Sequence, residues 1–432
     1  MNVRSKSDNF IKLKFAGISW CIRRRYELKK RIGSGSFGIV ASATDSVQGS
    51  YPVAIKKVDG VFHRKPAYEA RRILREVRLM RCLNHPNVIT LLDVMLPPST
   101  HDDASASTAD SPRGTALPLL SELYLVTELM STDLQHVLSA AHRPGSSFVL
   151  KAEQTQYLLY QLICGVQYIG SAGVLHRDLK PANLLVDLRS CQLRICDFGL
   201  ARAIPKQNHS SQENFRDRDF EVERVDSQAS MTEYVVTRWY RAPEILLGNV
   251  HYGPGIDVWS VGCILAEMLA PNMGVLFEGT ERREMLAHIV SLLGRPTQAE
   301  LWFILDKHAR DFIESLPTQK HQETLRRRIS KHCSLQETAL DLLHGLLVFD
   351  PAARMNTQGA LLHPFLMWPK SRVGSKGAVS LEAPAPHLID MTDIESQLLT
   401  AATMPYVVFR EAACLHTGRS PCDRTMRTLR PG

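Results

Sequence analysis

No stretch of the 432 residues stays apolar for anything near the roughly 20 positions a helix needs to cross a bilayer. A membrane-spanning protein is therefore not expected. The nine cysteines are scattered, without pairs at metal-ligand spacing and without a signal peptide ahead of them. That pattern fits reduced thiols in an intracellular protein rather than a disulfide framework. Internal repeats are lacking as well, and so is any charge excess in the body of the chain. The net charge is +8, yet residues 1–31 hold ten Lys and Arg against two acidic residues, and the remainder balances at 42 of each sign. Such a balance lacks the footprint of a nucleic-acid-binding protein, and no nucleic-acid partner is expected. The excess sits in one arm, with Lys12, Lys14 and Arg23-Arg24-Arg25 interleaved with Phe10, Ile11, Leu13 and Phe15. Residues 1–25 read as a flexible basic extension, the alternative being a targeting, docking or membrane-surface segment.

What is present is the composition of a globular protein, 44% hydrophobic and 22% charged, at a length of roughly two domains. From Tyr26 to Lys57 the pattern is strand-like, and Leu123–Val126 adds a short apolar strand. Residues 67–82 have Ile73, Val77 and Met80 at helical spacing beside a dense basic face. Beyond about residue 131 helical patterns dominate, notably 153–169, 256–270, 281–293 and 336–348. A strand-rich first third before a helix-rich remainder predicts a two-lobed α+β molecule. Two polar stretches, 97–118 and 205–230, read as exposed loops.

The chemistry lies in a series of motifs. Ile32-Gly33-Ser34-Gly35-Ser36-Phe37-Gly38-Ile39-Val40 contains GxGxxGxV, whose glycines let backbone amides approach phosphate oxygens. Strand signals on both sides argue against a dinucleotide site, where a helix follows directly. Val53-Ala54-Ile55-Lys56 then places an ammonium on a strand, and Glu76 in the helix is its natural partner. His176-Arg177-Asp178-Leu179-Lys180-Pro181-Ala182-Asn183 is far more specific. Asp178 can accept a hydroxyl proton, Lys180 can steady a transferring phosphate, and Asn183 can hold a metal. Asp197-Phe198-Gly199 supplies a metal carboxylate, and oxygen ligands of this kind suit Mg²⁺. Ala242-Pro243-Glu244 closes the segment. Cys196 is open to two readings, a small buried residue or an accessible thiol.

Five motifs in this order identify a resemblance to the protein kinase family across residues 26–368. The resemblance implies a bilobal fold with a small β-rich N-lobe carrying the helix (about 26–130) and a large helical C-lobe (about 131–368). ATP and Mg²⁺ are the expected cofactors. It also implies that Thr127 is a gatekeeper, that Glu128-Leu129-Met130 holds adenine, and that Asp133 belongs to the ATP site. Asp257 resembles the aspartate that braces the catalytic loop, and Glu244 with Arg354 resembles a structural ion pair. The Lys180 setting, with Thr237 downstream, points to Ser/Thr substrates.

Thr232-Glu233-Tyr234 resembles the activation motif of ERK-type MAP kinases, with Thr232 and Tyr234 phosphorylated. Each phosphate brings about −1.5 to −2 charges for arginines to gather. The matching arginines are Arg72, Arg75, Arg177, Arg202, Arg238 and Arg241. Met130–Leu134 and residues 270–300 resemble the MAP kinase hinge exit and insert, and 388–414 resembles a C-terminal extension that packs back on the small lobe within 369–432. The implied partners are protein substrates with Ser/Thr-Pro sites, an upstream dual-specificity MAP kinase kinase and phosphatases, in the cytoplasm and nucleus. Ser111-Pro112 and Ser420-Pro421 are candidate feedback sites. Two features depart from the family. Asp197 and Thr232 lie 35 positions apart, about twice the family spacing, a lengthening that costs only about half a kcal/mol of closure entropy. Lys370, Arg372 and Lys376 make basic a docking region that the family keeps acidic. Competing readings are another proline-directed kinase and a kinase-like scaffold without turnover.

Overall fold

The computed structural model describes residues 10–35, 38–60, 67–97, 122–143, 150–204, 238–249, 252–317, 321–330, 337–367, 381–395 and 403–417. These fall into two units: Met1–Asn84 with Ile89–Met130 and Asp390–Gly432, and His85–Val88 with Ser131–Ile389.

The first unit begins with a correction to the flexible arm. Strands β1 (Phe10–Phe15) and β2 (Ile18–Arg23) pair antiparallel through Ala16-Gly17, both at positive φ, 51° and 80°. Two left-handed residues in succession make the tight turn whose twist matches paired strands. The interleaving of Lys12 and Lys14 with Leu13 and Phe15 is a period of two. It puts the lysines in solvent and the apolar side chains against a core containing Trp20, Ile22, Tyr26, Val53 and Tyr124. Apolar burial outweighs the flexibility that the basic composition suggests.

That core belongs to a five-stranded antiparallel sheet of β3 (Tyr26–Gly35), β4 (Gly38–Asp45), β5 (Tyr51–Asp59), β6 (Leu91–Met95) and β7 (Glu122–Glu128), in the order β3-β4-β5-β7-β6. Polar contacts fasten the hairpin to it. Lys57 Nζ donates to the Ser19 carbonyl at 2.7 Å, and the Tyr124 hydroxyl accepts from Cys21 N–H at 2.8 Å while donating to Glu122 at 2.6 Å. Helix α1 (Ala67–Cys82) buries Ile73, Leu74, Val77 and Met80.

In the second unit a two-residue strand β8 (Thr132–Asp133) leads into helix α2 (Leu134–His142), whose N-terminus is capped by Asp133 accepting from His136 N–H at 2.8 Å. Helix α3 (Ala152–Ser171) forms the core and precedes the short strands β9 (Val174–Leu175), β10 (Leu184–Asp187), β11 (Gln192–Ile195) and β12 (Arg202–Ala203). Helices α4 (Pro243–Leu246), α5 (Gly255–Leu269), α6 (Arg282–Leu293), α7 (Lys307–Ser315), α8 (His321–Ser330), α9 (Glu337–Leu346) and α10 (Thr357–Leu361) follow. Helix α5 is buried on nearly every side and packs on α3 and α9. Glu244 and Arg354 form a buried bidentate pair at 2.7 and 3.0 Å, the guanidinium lying over the Trp259 ring. In the first unit the chain then adds α11 (Thr392–Glu395) and α12 (Met404–Thr417), which pack on α1.

Glu267 on α5 is 5% exposed and faces the Tyr240 hydroxyl. Burial pushes its carboxyl up to about 7, against a smaller pull downward from Tyr240. The folded protein thus holds this proton more tightly than the unfolded chain. Its stabilising effect is lost as pH rises from the ordinary value of 4.5 through about 7. Glu267→Gln removes that dependence. Measured by denaturant unfolding, the variant is expected to gain on the parent by up to about 3 kcal/mol between about pH 5 and pH 8. Parallel pH responses in the two proteins would rule this titration out.

Candidate active site

In the first unit the site is built by strand alternation. Lys56 and Lys57 are neighbours on β5, so their side chains leave opposite faces of the sheet. Lys57 reaches back to the hairpin, and Lys56 reaches α1. There its Nζ lies 2.7 and 2.9 Å from the two Glu76 oxygens, a fork that fixes the ammonium from behind. The adjoining register pairs Gly33 with Val40, Ser34 with Ile39 and Gly35 with Gly38, so the glycine motif forms the end of the β3–β4 ribbon. Gly38 cannot be replaced by any other residue without rearrangement. Its φ is +135°, and a Cβ there would stand 1.9 Å from the Lys57 carbonyl oxygen. Ser36 and Phe37 lie outside the described residues. Ile32 is exposed, whereas Ile39 and Val40 are half-buried. Across the sheet Ala54 faces Thr127, and Val53 faces Glu128, whose side chain accepts from Thr90 N–H at 3.1 Å. Met130 ends this part of the unit.

In the second unit the loop bearing Asp178 is held from below by one carboxylate. Asp257, 3% exposed on α5, accepts from His176 N–H at 2.8 Å and from Arg177 N–H at 2.9 Å. Arg177 sits at φ +68°, a left-handed conformation costing about 1–3 kcal/mol in a non-glycine residue, and the fork offsets that strain. Burial raises the Asp257 carboxyl, while His176 and Arg177 draw it down. The His176 ring is also fixed. Its Nδ1 accepts from Asp178 N–H at 3.3 Å, so Nε2 carries the proton and donates to the Cys196 carbonyl at 3.0 Å. The residue was legible in the sequence as part of its motif, but this bracing role was not. The loop thereby lies against the segment bearing Asp197, and Cys196 N–H donates to the Asn183 carbonyl at 3.0 Å.

The proposed catalytic groups converge on this loop. Lys180 Nζ lies 2.7 Å from Asp178 Oδ2, and Asn183 Nδ2 donates to the same oxygen at 3.1 Å and to the Asp178 carbonyl at 2.8 Å. These contacts orient Asp178 while its second oxygen, Oδ1, stands outside them. With its amide nitrogen committed, Asn183 has its carbonyl oxygen to offer a cation. Asp197, at φ +63°, accepts from Gly199 N–H at 3.3 Å through Oδ1. A carboxamide oxygen and a carboxylate form a hard donor set of the kind that Mg²⁺ takes.

The remaining candidates are more dispersed. Arg72 and Arg75 are buried in the first unit, and Arg75 Nε is 4.0 Å from Glu395. Arg177, Arg202, Arg238 and Arg241 belong to the second. There Arg177 lies over the Tyr252 ring, Arg202 Nη1 donates to the Ala201 carbonyl, and Arg238 Nη1 donates to Thr280 O at 2.8 Å. Arg241 N–H closes a turn onto the Arg238 carbonyl. Thr232 and Tyr234 lie outside the described residues, as do the 205–230 insert and the basic 370–376 region. Cys196 is half-buried, with its Sγ 3.4 Å from the Asn183 carbonyl.

Comparison with known proteins agrees with this chemistry. The chain matches the protein kinase domain family over residues 26–366. It is 42% identical over 345 residues to mitogen-activated protein kinase 14 of Arabidopsis thaliana, covering 80% of each chain. To mitogen-activated protein kinase 4a of Physcomitrium patens it is 38% identical over 359 residues, 83% of this chain and 81% of that one. To the mitogen-activated protein kinase homolog NTF6 of Nicotiana tabacum it is 39% identical over 337 residues, 78% and 76% of the two chains. Identity at this level over four fifths of the length, joined to the kinase domain, places the chain in the mitogen-activated protein kinase family, as an ATP-dependent Ser/Thr protein kinase of signal transduction.

Proposed function

We propose that this kinase transfers the γ-phosphate of ATP to Ser or Thr followed by Pro, and that phosphorylation of Thr232 and Tyr234 switches it on. The observation that carries the catalytic reading is the convergence of Lys180 and Asn183 on Asp178, on a loop pinned by Asp257. Asp178 orients the substrate hydroxyl and takes its proton as the oxygen attacks the γ-phosphorus. The bond from γ-phosphorus to the β,γ-bridging oxygen breaks, and ADP leaves with that electron pair. Lys180, beside Asp178, offsets negative charge on the transferring group. Lys56, steadied by Glu76, is the residue for the α- and β-phosphates. Asn183 and Asp197 are the residues that would hold Mg²⁺, which neutralises phosphate charge when bound.

The switch is read from the Thr-Glu-Tyr motif and from the arginines that match the family's phosphate-binding positions. Upstream dual-specificity kinases, phosphatases and a cytoplasmic and nuclear location belong to the same proposal.

Three outcomes test it. Asp178→Asn is expected to lower kcat on a Ser-Pro peptide about 10²–10⁴-fold. A variant as active as the parent would remove Asp178 from the reaction. Asp257→Asn exchanges one acceptor oxygen for a donor facing an N–H, and is expected to cost about 10²-fold in kcat with KM for ATP little changed. Mass spectrometry of the active protein should find Thr232 and Tyr234 both phosphorylated. Full activity without either phosphate would overturn the switch.

A further inference from the structure

Helix α1 has two working sides. Glu76 points to Lys56, and Arg78, two positions on and therefore about 200° around the helix, points away from it. Arg75, Arg78 and Arg81 recur every third residue and form one stripe. Three carboxylates of the C-terminal segment meet that stripe. Arg78 donates from Nε and Nη2 to Glu411 at 3.0 and 2.6 Å, from Nη2 to Asp393 at 2.9 Å, and from Nη1 to Asp393 and to the Asp390 carbonyl at 3.2 Å. Arg81 reaches the other oxygen of Glu411 at 2.8 Å from Nε, and Glu395 lies 4.0 Å from Arg75. Glu411 is wholly buried and Arg78 is 4% exposed. Burial opposes ionisation of Glu411, and the two arginines overcome it, holding its carboxyl below the usual range.

A buried ionic network is a poor way to gain stability, because apolar side chains of similar volume do as well or better. Forked guanidinium–carboxylate contacts do provide direction. Here they act on a helix whose other side carries a residue that must meet Lys56 within hydrogen-bond distance. We propose that Arg78 and Glu411 are positioning residues for phosphoryl transfer, setting the rotation and height of α1 at which Glu76 forks onto Lys56. The C-terminal helix α12 thereby becomes part of the catalytic apparatus without touching substrate. This inference rests on the reading that Lys56 and Glu76 orient the ATP phosphates.

The test uses the full chain, activated, with kcat and KM measured per folded molecule on a Ser-Pro peptide. Transfer by the parent tests the function itself, and the ratios between variants test the positioning role. Arg78→Met and Glu411→Gln are each expected to lower kcat by about tenfold, with KM for the peptide within about twofold of the parent. In a Glu76→Gln background, Arg78→Met should have no further effect on kcat, because the two residues act through one contact. A merely structural role would lower the melting temperature but multiply through that background, and that result would overturn the proposal. Should either buried variant fail to fold, Asp393→Asn decides, since Asp393 is 42% exposed and leaves Glu411 in place. A fall in its kcat of about threefold that vanishes in the Glu76→Gln background supports the inference, and an unchanged kcat refutes it.

Discussion

The loop that carries Asp178 depends on a single carboxylate. Asp257 receives two consecutive backbone N–H groups, and one of them belongs to Arg177, whose left-handed backbone would otherwise be unfavourable. The residue that follows is Asp178. Its direction is therefore set by a turn that the chain adopts only because a buried acceptor waits beneath it. The same buried position makes Asp257 costly to ionise, so the two N–H donors and the nearby Arg177 guanidinium must compensate. Strain in the backbone and desolvation of the carboxylate are each unfavourable alone, and each is relieved by the other. The His176 ring extends the arrangement to the segment bearing Asp197, so Asp178 and Asp197 share one support.

A comparable division of labour organises the small sheet. Strand alternation sends Lys56 to Glu76 and Lys57 to the N-terminal hairpin, and both ammonium groups are held by oxygen acceptors. Residues 10–23 of the basic arm are thus a cover for one side of the sheet. Asp93 joins more of the periphery, accepting from Arg23 at 2.6 Å and from the Tyr26 hydroxyl at 2.9 Å, and lying 2.7 Å from His416. One β6 carboxylate therefore binds the hairpin, the start of the glycine-rich strand and the end of α12.

Much of this was legible in the sequence, and the reason is locality. Lys56, Asp178, Asn183 and Asp197 sit in short strings whose order and chemistry leave few alternatives, and the helices over 153–169 and 256–270 announce themselves through apolar periodicity. The hairpin was not legible as such. Its Lys12–Phe15 alternation was present, but Ala16-Gly17 lacks the Asn-Gly or Asp-Gly chemistry that marks such a turn, and the basic residues suggested a tail. The arginine stripe was visible as a dense basic face, whereas its partners were not. Arg78 and Glu411 are 333 positions apart, and no local pattern links an arginine to one acid among many at that distance.

The buried charges share a logic that apolar packing alone does not supply. Glu244 with Arg354, Asp257 with its two amides, and Glu411 with Arg78 and Arg81 are all nearly inaccessible to water. Breaking either ion pair leaves an uncompensated charge, at roughly 3–5 kcal/mol, although building it gained little over a hydrophobic contact. What such contacts add is angular definition, because a fork of two hydrogen bonds fixes rotation where an apolar surface allows sliding. In this protein they occur under the turn that precedes Asp178, beside the segment that closes the kinase motifs, and on the helix that carries Glu76, the partner of Lys56. Each is a place where a small rotation would carry a side chain away from its partner. Direction, more than added stability, is what a forked charge contributes to these interiors.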